Sequence, residues 1–220
     1  MIRIMQQHVP VDFEKKVRVP GNFFLASCPS PSGKDWKKHQ YWRYISREMY
    51  QSYQGICAYT CEWFPETPAQ NSIDHFLPKS KYPHLAYDWR NYRLATRKTN
   101  KYKDDDDSLV DPFHVQFGWF ELSIPSCLIV PGKNISQQER AMIEHTISTL
   151  KLNDDDEFVD SRYNIIQFYI NGRFQVSDMQ RKYPFIASEL ERQDLLDIEK
   201  LKLIFKPFHQ NLRVNQPPTP

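Results

Sequence analysis

Asp74 and His75 stand next to one another, a carboxylate beside an imidazole, directly after Ser72-Ile73. Further along come Asn91, then Asn100, each followed three residues later by Leu94 or Lys103. Cutting a phosphodiester needs a group that takes a proton from water, and neutral histidine titrates in a suitable range. It also needs something to stabilise charge on the phosphate and on the leaving oxygen, which a hard divalent cation does. Mg²⁺ prefers oxygen ligands and keeps several waters, so one carboxylate and one amide oxygen suffice to hold it. Basic side chains nearby would grip the backbone phosphates. An Asp-His pair alone is frequent by chance. Asp-His, then Pro78-Lys79-Ser80, then Asn91-x-x-Leu94, then Asn100-x-x-Lys103, in that order, is far more specific. The competing reading makes Asp74–His75 a buried hydrogen-bonded pair and the two asparagines turn and cap residues. It leaves the combination unexplained.

The run resembles the HNH, or ββα-metal, nuclease motif over roughly residues 55–105, with Asn in place of the last His. That resemblance implies a hairpin and one helix around a single ion, Mg²⁺ or Mn²⁺. It implies Asp74 and Asn100 as metal ligands and His75 as the general base. Asn91 would hold the loop and orient the histidine. Lys79, Arg97, Lys98 and Lys101 are the expected phosphate contacts. Many members of the family also carry two Cys-x-x-Cys pairs around a structural zinc. Here Cys57 and Cys61 are spaced Cys-x-x-x-Cys, and the second pair would fall on Thr96-Arg97-Lys98-Thr99. No structural zinc is therefore expected; a site completed by His84 is the poorly supported alternative.

Outside the motif, Asp-His-Phe-Leu-Pro-Lys-Ser, Leu-Ala-Tyr-Asp-Trp-x-Asn-Tyr, Val-Asp-Pro-Phe and Leu-Lys-Leu-Asn-Asp are similar to PtuB-like HNH subunits of Septu-like and retron-type antiphage systems. That similarity implies a nuclease controlled by an ATPase partner.

Charge supports a nucleic-acid surface only locally. The net charge of the 220 residues is +2. Between Asn71 and Lys103, eight Lys or Arg face two acids, whereas between Ser136 and Glu199 thirteen acids face seven basic residues. The first stretch is a candidate phosphate-binding surface and the second a candidate partner-docking surface. With 40% hydrophobic residues a packed core is expected, and the 14% aromatics either fill it or stack on bases. Met1 to Pro20 lacks the apolar core of a signal peptide, and no apolar run is long enough to cross a bilayer. The four cysteines are expected as reduced thiols in a cytoplasm.

Three regions must position these residues. Residues 1–54 read as an irregular arm, with a short strand near Phe23–Ala26, and a basic helix from Asp35 to about Tyr53. Its Lys37, Lys38, Arg43 and Arg47 read as a solvated face. Residues 55–105 are the nuclease core. In residues 106–220, Phe113 to Val130 reads as one or two short strands. Ser136-Gln137-Gln138-Glu139 has capping-box spacing. Further helices are expected from Asn153 to Tyr169, from Ser177, and from Phe185 to Phe205, before a loose tail. The fold class is α+β: a ββα-metal core with an N-terminal helix and a C-terminal helical region. The expected function is metal-dependent endonucleolytic cleavage of nucleic acid, DNA above RNA. The alternative is a non-catalytic nucleic-acid-binding or assembly subunit.

Overall fold

The computed structural model describes residues 1–212, with side chains through Phe205. At its centre, β1 (Asn71–His75) pairs antiparallel with β2 (Tyr92–Thr96), and α4 (Arg97–Lys103) follows at once. The register sets Asp74 opposite Arg93 and His75 opposite Tyr92. Thr96 ends the strand and starts the helix, because its hydroxyl accepts the backbone N–H of Thr99 (3.2 Å). Ala58 donates its N–H to the Leu94 carbonyl on the far edge of β2 (2.8 Å), so the turn carrying Cys57 and Cys61 borders the hairpin.

The N-terminal region departs from the sequence reading. Val19–Ser27 is a helix, α1, continuing a π-helical turn, and not an arm with a strand. The aromatic residues Phe23 and Phe24 carried the strand expectation; burial of Phe24 on the core face of the helix overrides it. The single helix expected from Asp35 to Tyr53 is broken. It begins as α2 (Gly33–Lys38), capped by Ser32 with Asp35 closing the capping box. A 3-10 turn (Tyr41–Ile45) and α3 (Ser46–Ser52) follow. The break re-aims the chain so that Trp42 and Ile45 reach the core.

After α4, β3 (Phe120–Ser123) and β4 (Leu128–Pro131) form a second hairpin, turning at Pro125. Helix α5 (Gln137–Thr149) starts at the expected capping box, where Ser136 N–H donates to the Glu139 carboxylate (2.7 Å). Helix α6 (Asp156–Ile170) starts at Asp155. The last expected helix is two, α8 (Pro184–Arg192) and α9 (Ile198–Leu212), after the short α7 (Val176–Lys182). The expected tail lies outside the described residues. Mixed helices and two small antiparallel sheets make the chain α+β. No helix among the described residues is long and apolar enough to cross a membrane.

Two motifs outside the hairpin have structural work. Arg93, 3% exposed, makes a bidentate pair with Asp111 (2.7 and 2.8 Å) and lies over the Phe113 ring at 3.6 Å. Val110-Asp111-Pro112-Phe113 thus anchors β2 from behind. Asn153, from Leu-Lys-Leu-Asn-Asp, clamps both backbone groups of Ile129 in β4 (2.8 and 2.7 Å).

Candidate active site

His75 ends β1 and is 6% exposed. Its Nε2 lies 2.9 Å from the Ala86 carbonyl. A carbonyl only accepts, so Nε2 carries the proton and Nδ1 keeps the free lone pair. The Tyr92 hydroxyl donates to the same carbonyl (2.7 Å). Trp42 and Tyr92 meet the imidazole edge-on, at 4.7 and 5.1 Å between centroids, and fix its plane. Burial, with Lys79 and Lys103 nearby, pushes the imidazolium pKa down to about 3. The ring is therefore neutral at neutral pH, and the same shift leaves it a weaker proton acceptor than the near-neutral pKa that best suits a general base.

Asn91 makes no hydrogen bond to His75 among the described residues. Its amide oxygen accepts the Leu77 N–H (2.8 Å), and its amide nitrogen donates to the carbonyls of Leu77 (2.9 Å) and Leu85 (3.3 Å). It pins both ends of the loop that carries Ala86, and so acts on the imidazole through the backbone.

Asp74 is 2% exposed. One oxygen lies 3.4 Å from Lys103 Nζ, and the other accepts the Tyr59 hydroxyl. Lys103, 1% exposed, also donates to the His75 carbonyl (3.1 Å), tying the end of α4 to the end of β1. Burial nonetheless raises the Asp74 pKa against the opposing pull of Lys103, Tyr59 and Arg93. Asn100 faces β1 two residues from Asp74, donating to Ser72 Oγ (2.6 Å) and the Ile73 carbonyl (3.5 Å). Its amide oxygen accepts no hydrogen bond among the described residues. Asp74, Ser72 and Asn100 lie along one strand–helix contact, to which Asn100 turns its amide nitrogen; a hard divalent ion takes oxygen ligands, so the amide would have to present its oxygen there. A carboxylate has lone pairs beyond the two that Tyr59 and Lys103 occupy. Among the described residues no group of three or more His, Cys, Asp or Glu side chains is placed to hold a metal.

A groove of about 980 Å³ opens in front of His75 and Asn100, between the 3-10 turn with α3 on one side and α4 on the other. Asp74, buried, is not among the residues that line it. Lys79, Arg97 and Lys101 line the groove and carry no ion pair among the described residues. Lys98 is the exception among the expected phosphate contacts. It is turned toward α6, paired with Asp155 (2.7 Å) and Glu157. Most of the local positive charge is spent likewise: Lys81 on Asp107, Arg90 on Asp88, Arg93 on Asp111 and Lys103 on Asp74. In exchange, Arg43 and Arg47, read from sequence as a solvated face, line the groove.

Tyr59, Lys103, Trp42 and the Ala86 carbonyl are the components that sequence reasoning missed. The Asn100-x-x-Lys103 spacing held a signal for Lys103, since residues three apart share a helix face. Nothing marked Tyr59, which arrives from a turn. Cys57 and Cys61 are fully buried, and Cys57 Sγ lies 3.6 Å from Thr99 Oγ1.

No family model matches the chain. The chain is 33% identical over 70 residues to the Septu protein PtuB of Bacillus thuringiensis. The match covers 31% of this chain and 27% of that protein. The chain is thus similar to PtuB over a limited stretch of both.

Proposed function

We propose that the chain is a metal-dependent nuclease of the HNH type that hydrolyses nucleic-acid phosphodiester bonds, DNA above RNA, and serves in antiphage defence. The observation that carries the reading is His75, held through Nε2 with its Nδ1 lone pair free, at the wall of a groove lined by Arg43, Arg47, Lys79, Arg97 and Lys101 against Glu66, Asp104 and Asp105. Asp74 and Asn100 would hold Mg²⁺ or Mn²⁺. When bound, such an ion offsets charge on the phosphate and the leaving oxygen. Nδ1 takes a proton from a water molecule, and Ala86 keeps the ring from rotating as the charge forms. The hydroxide attacks phosphorus in line, the bond to the 3′ oxygen breaks, and that oxygen leaves with the electron pair and takes a proton from solvent. Arg97, Lys101, Arg43 and Arg47 hold the flanking phosphates, and Lys79 lies beside His75 over the Trp42 ring.

The likeness to PtuB supports the defence assignment and a place in a defence complex; an ATPase subunit is the partner that the motif resemblance implies. The acidic stretch from Ser136 to Glu199 is the candidate docking surface. An oligonucleotide and plasmid cleavage assay with Mn²⁺ tests the chemistry. Wild type should cut and His75→Ala should fall by at least about 100-fold, in the range of general-base contributions. Equal cutting by both proteins removes His75 from the role. If neither cuts alone, the same comparison is made with an ATPase subunit added where the gene context supplies one. Continued silence there, with nucleic-acid binding kept, favours the non-catalytic subunit.

A further inference from the structure

The same groove carries an aromatic that the cleavage chemistry does not use. The 3-10 turn Tyr41–Ile45 has three residues per turn, so Trp42 and Ile45 share the buried side. Tyr41 and Tyr44 share another, and Tyr44 stands out at 63% exposure. Its nearest ring among the described residues is Tyr41, at 6.4 Å and tilted by 35°. Tyr44 lines the groove with Arg43, Arg47, Arg97 and Lys101, and the carboxylates Glu66, Asp104 and Asp105 line it as well. Trp42, two residues away, packs edge-on against His75. An exposed aromatic face beside cations that carry no ion pair among the described residues, in the same groove as the candidate catalytic base, is an arrangement that binds unpaired bases: cations track the phosphates and the ring stacks on a base. A base inside a duplex has both faces covered by its neighbours and cannot lie on Tyr44.

Resting on the nuclease reading of this groove, we propose that Tyr44 is a base-stacking platform that selects nucleic acid with unpaired bases near the scissile phosphate. The shared chemistry is an exposed nucleobase on a phosphodiester strand, from single-stranded DNA or from RNA. The test measures binding, not cutting, so it stands apart from the failure of the catalytic reading. Full-length wild type, Tyr44→Ala and Tyr44→Phe are titrated in EDTA by fluorescence anisotropy. The probes are a labelled single-stranded DNA, the same sequence as RNA, and the DNA duplex. Tyr44 is exposed, so all three proteins should melt alike. Wild type should prefer a single strand to the duplex. Tyr44→Ala should lose about tenfold in affinity for one or both single strands, the lower range for a stacking aromatic, with duplex binding within about twofold of wild type. Tyr44→Phe should keep the preference, and the strand weakened by Tyr44→Ala names the source. Equal loss on strand and duplex, no loss on any probe, failure of Tyr44→Phe to rescue, or no binding by wild type would each overturn the proposal.

Discussion

Replacing Asn91 by Ala tests how the loop holds the imidazole. The side chain makes three hydrogen bonds, one from the Leu77 N–H and one each to the Leu77 and Leu85 carbonyls. The Leu85 carbonyl keeps a second partner, the Asp88 N–H at 3.2 Å, so its loss is partial. The two Leu77 groups keep none among the described residues. A buried group left without its partner costs about 1–3 kcal/mol, and Leu77 is only half-buried, so water recovers part. The expected destabilisation is about 2–4 kcal/mol. For a chain of this size that is a fall in Tm on the order of 10 °C. Urea unfolding followed by circular dichroism measures it, and the slope with denaturant should stay at the wild-type value. Asn91→Asp should be no better, because it keeps the acceptor for Leu77 but turns a carboxylate on two carbonyls. A loss below about 0.5 kcal/mol for Asn91→Ala, the range of an ordinary surface change, would refute the reasoning.

Lys103→Met leaves the buried Asp74 carboxylate with Tyr59 as its remaining side-chain hydrogen-bond partner and only the more distant charge of Arg93. It should cost about 3–5 kcal/mol at neutral pH, and the double variant Asp74→Asn/Lys103→Met should recover much of that in the same unfolding assay. Glu62 lies half-buried, accepting from Ser161 Oγ at 2.9 Å, and burial raises its pKa to about 7. The folded state thus holds this proton more tightly than the unfolded chain. Its contribution is full below about pH 4.5 and is lost as pH rises through 7. Glu62→Gln should match wild type in stability at pH 5 and exceed it by about 2 kcal/mol at pH 8, read from urea midpoints. Arg97→Ala and Lys101→Ala should each reduce the salt dependence of nucleic-acid binding by about one counterion, whereas Lys98→Ala, taken from its pair with Asp155 and Glu157, should leave it unchanged.

The order Asp74-His75, Asn91 and Asn100 was legible because each residue type is tied to a local position: strand end, loop clamp, helix face. The capping signals at Ser136 and the breaks around Pro125 and Gly172 were legible for the same reason. The N-terminal region was not. Phe23 and Phe24 have strand propensity, and only packing of Phe24 against Trp36 and His39 selects the helix. Nor could charge counting tell Lys98 from Lys101, since the acids that neutralise Lys98 lie over fifty residues away. Tyr59 and the Ala86 carbonyl are set by tertiary contact alone. A carbonyl, shared by every residue, leaves no mark in sequence.

In the proposed reaction Asp74 and Asn100 serve one divalent ion beside His75. Anomalous diffraction from crystals soaked in Mn²⁺ measures that directly. A single peak at coordination distance from the Asp74 carboxylate and the Asn100 amide oxygen, with Lys103 drawn off the carboxylate, is the predicted result. A Lys103–Asp74 pair unchanged at saturating Mn²⁺, with no peak at that strand–helix contact, would contradict it.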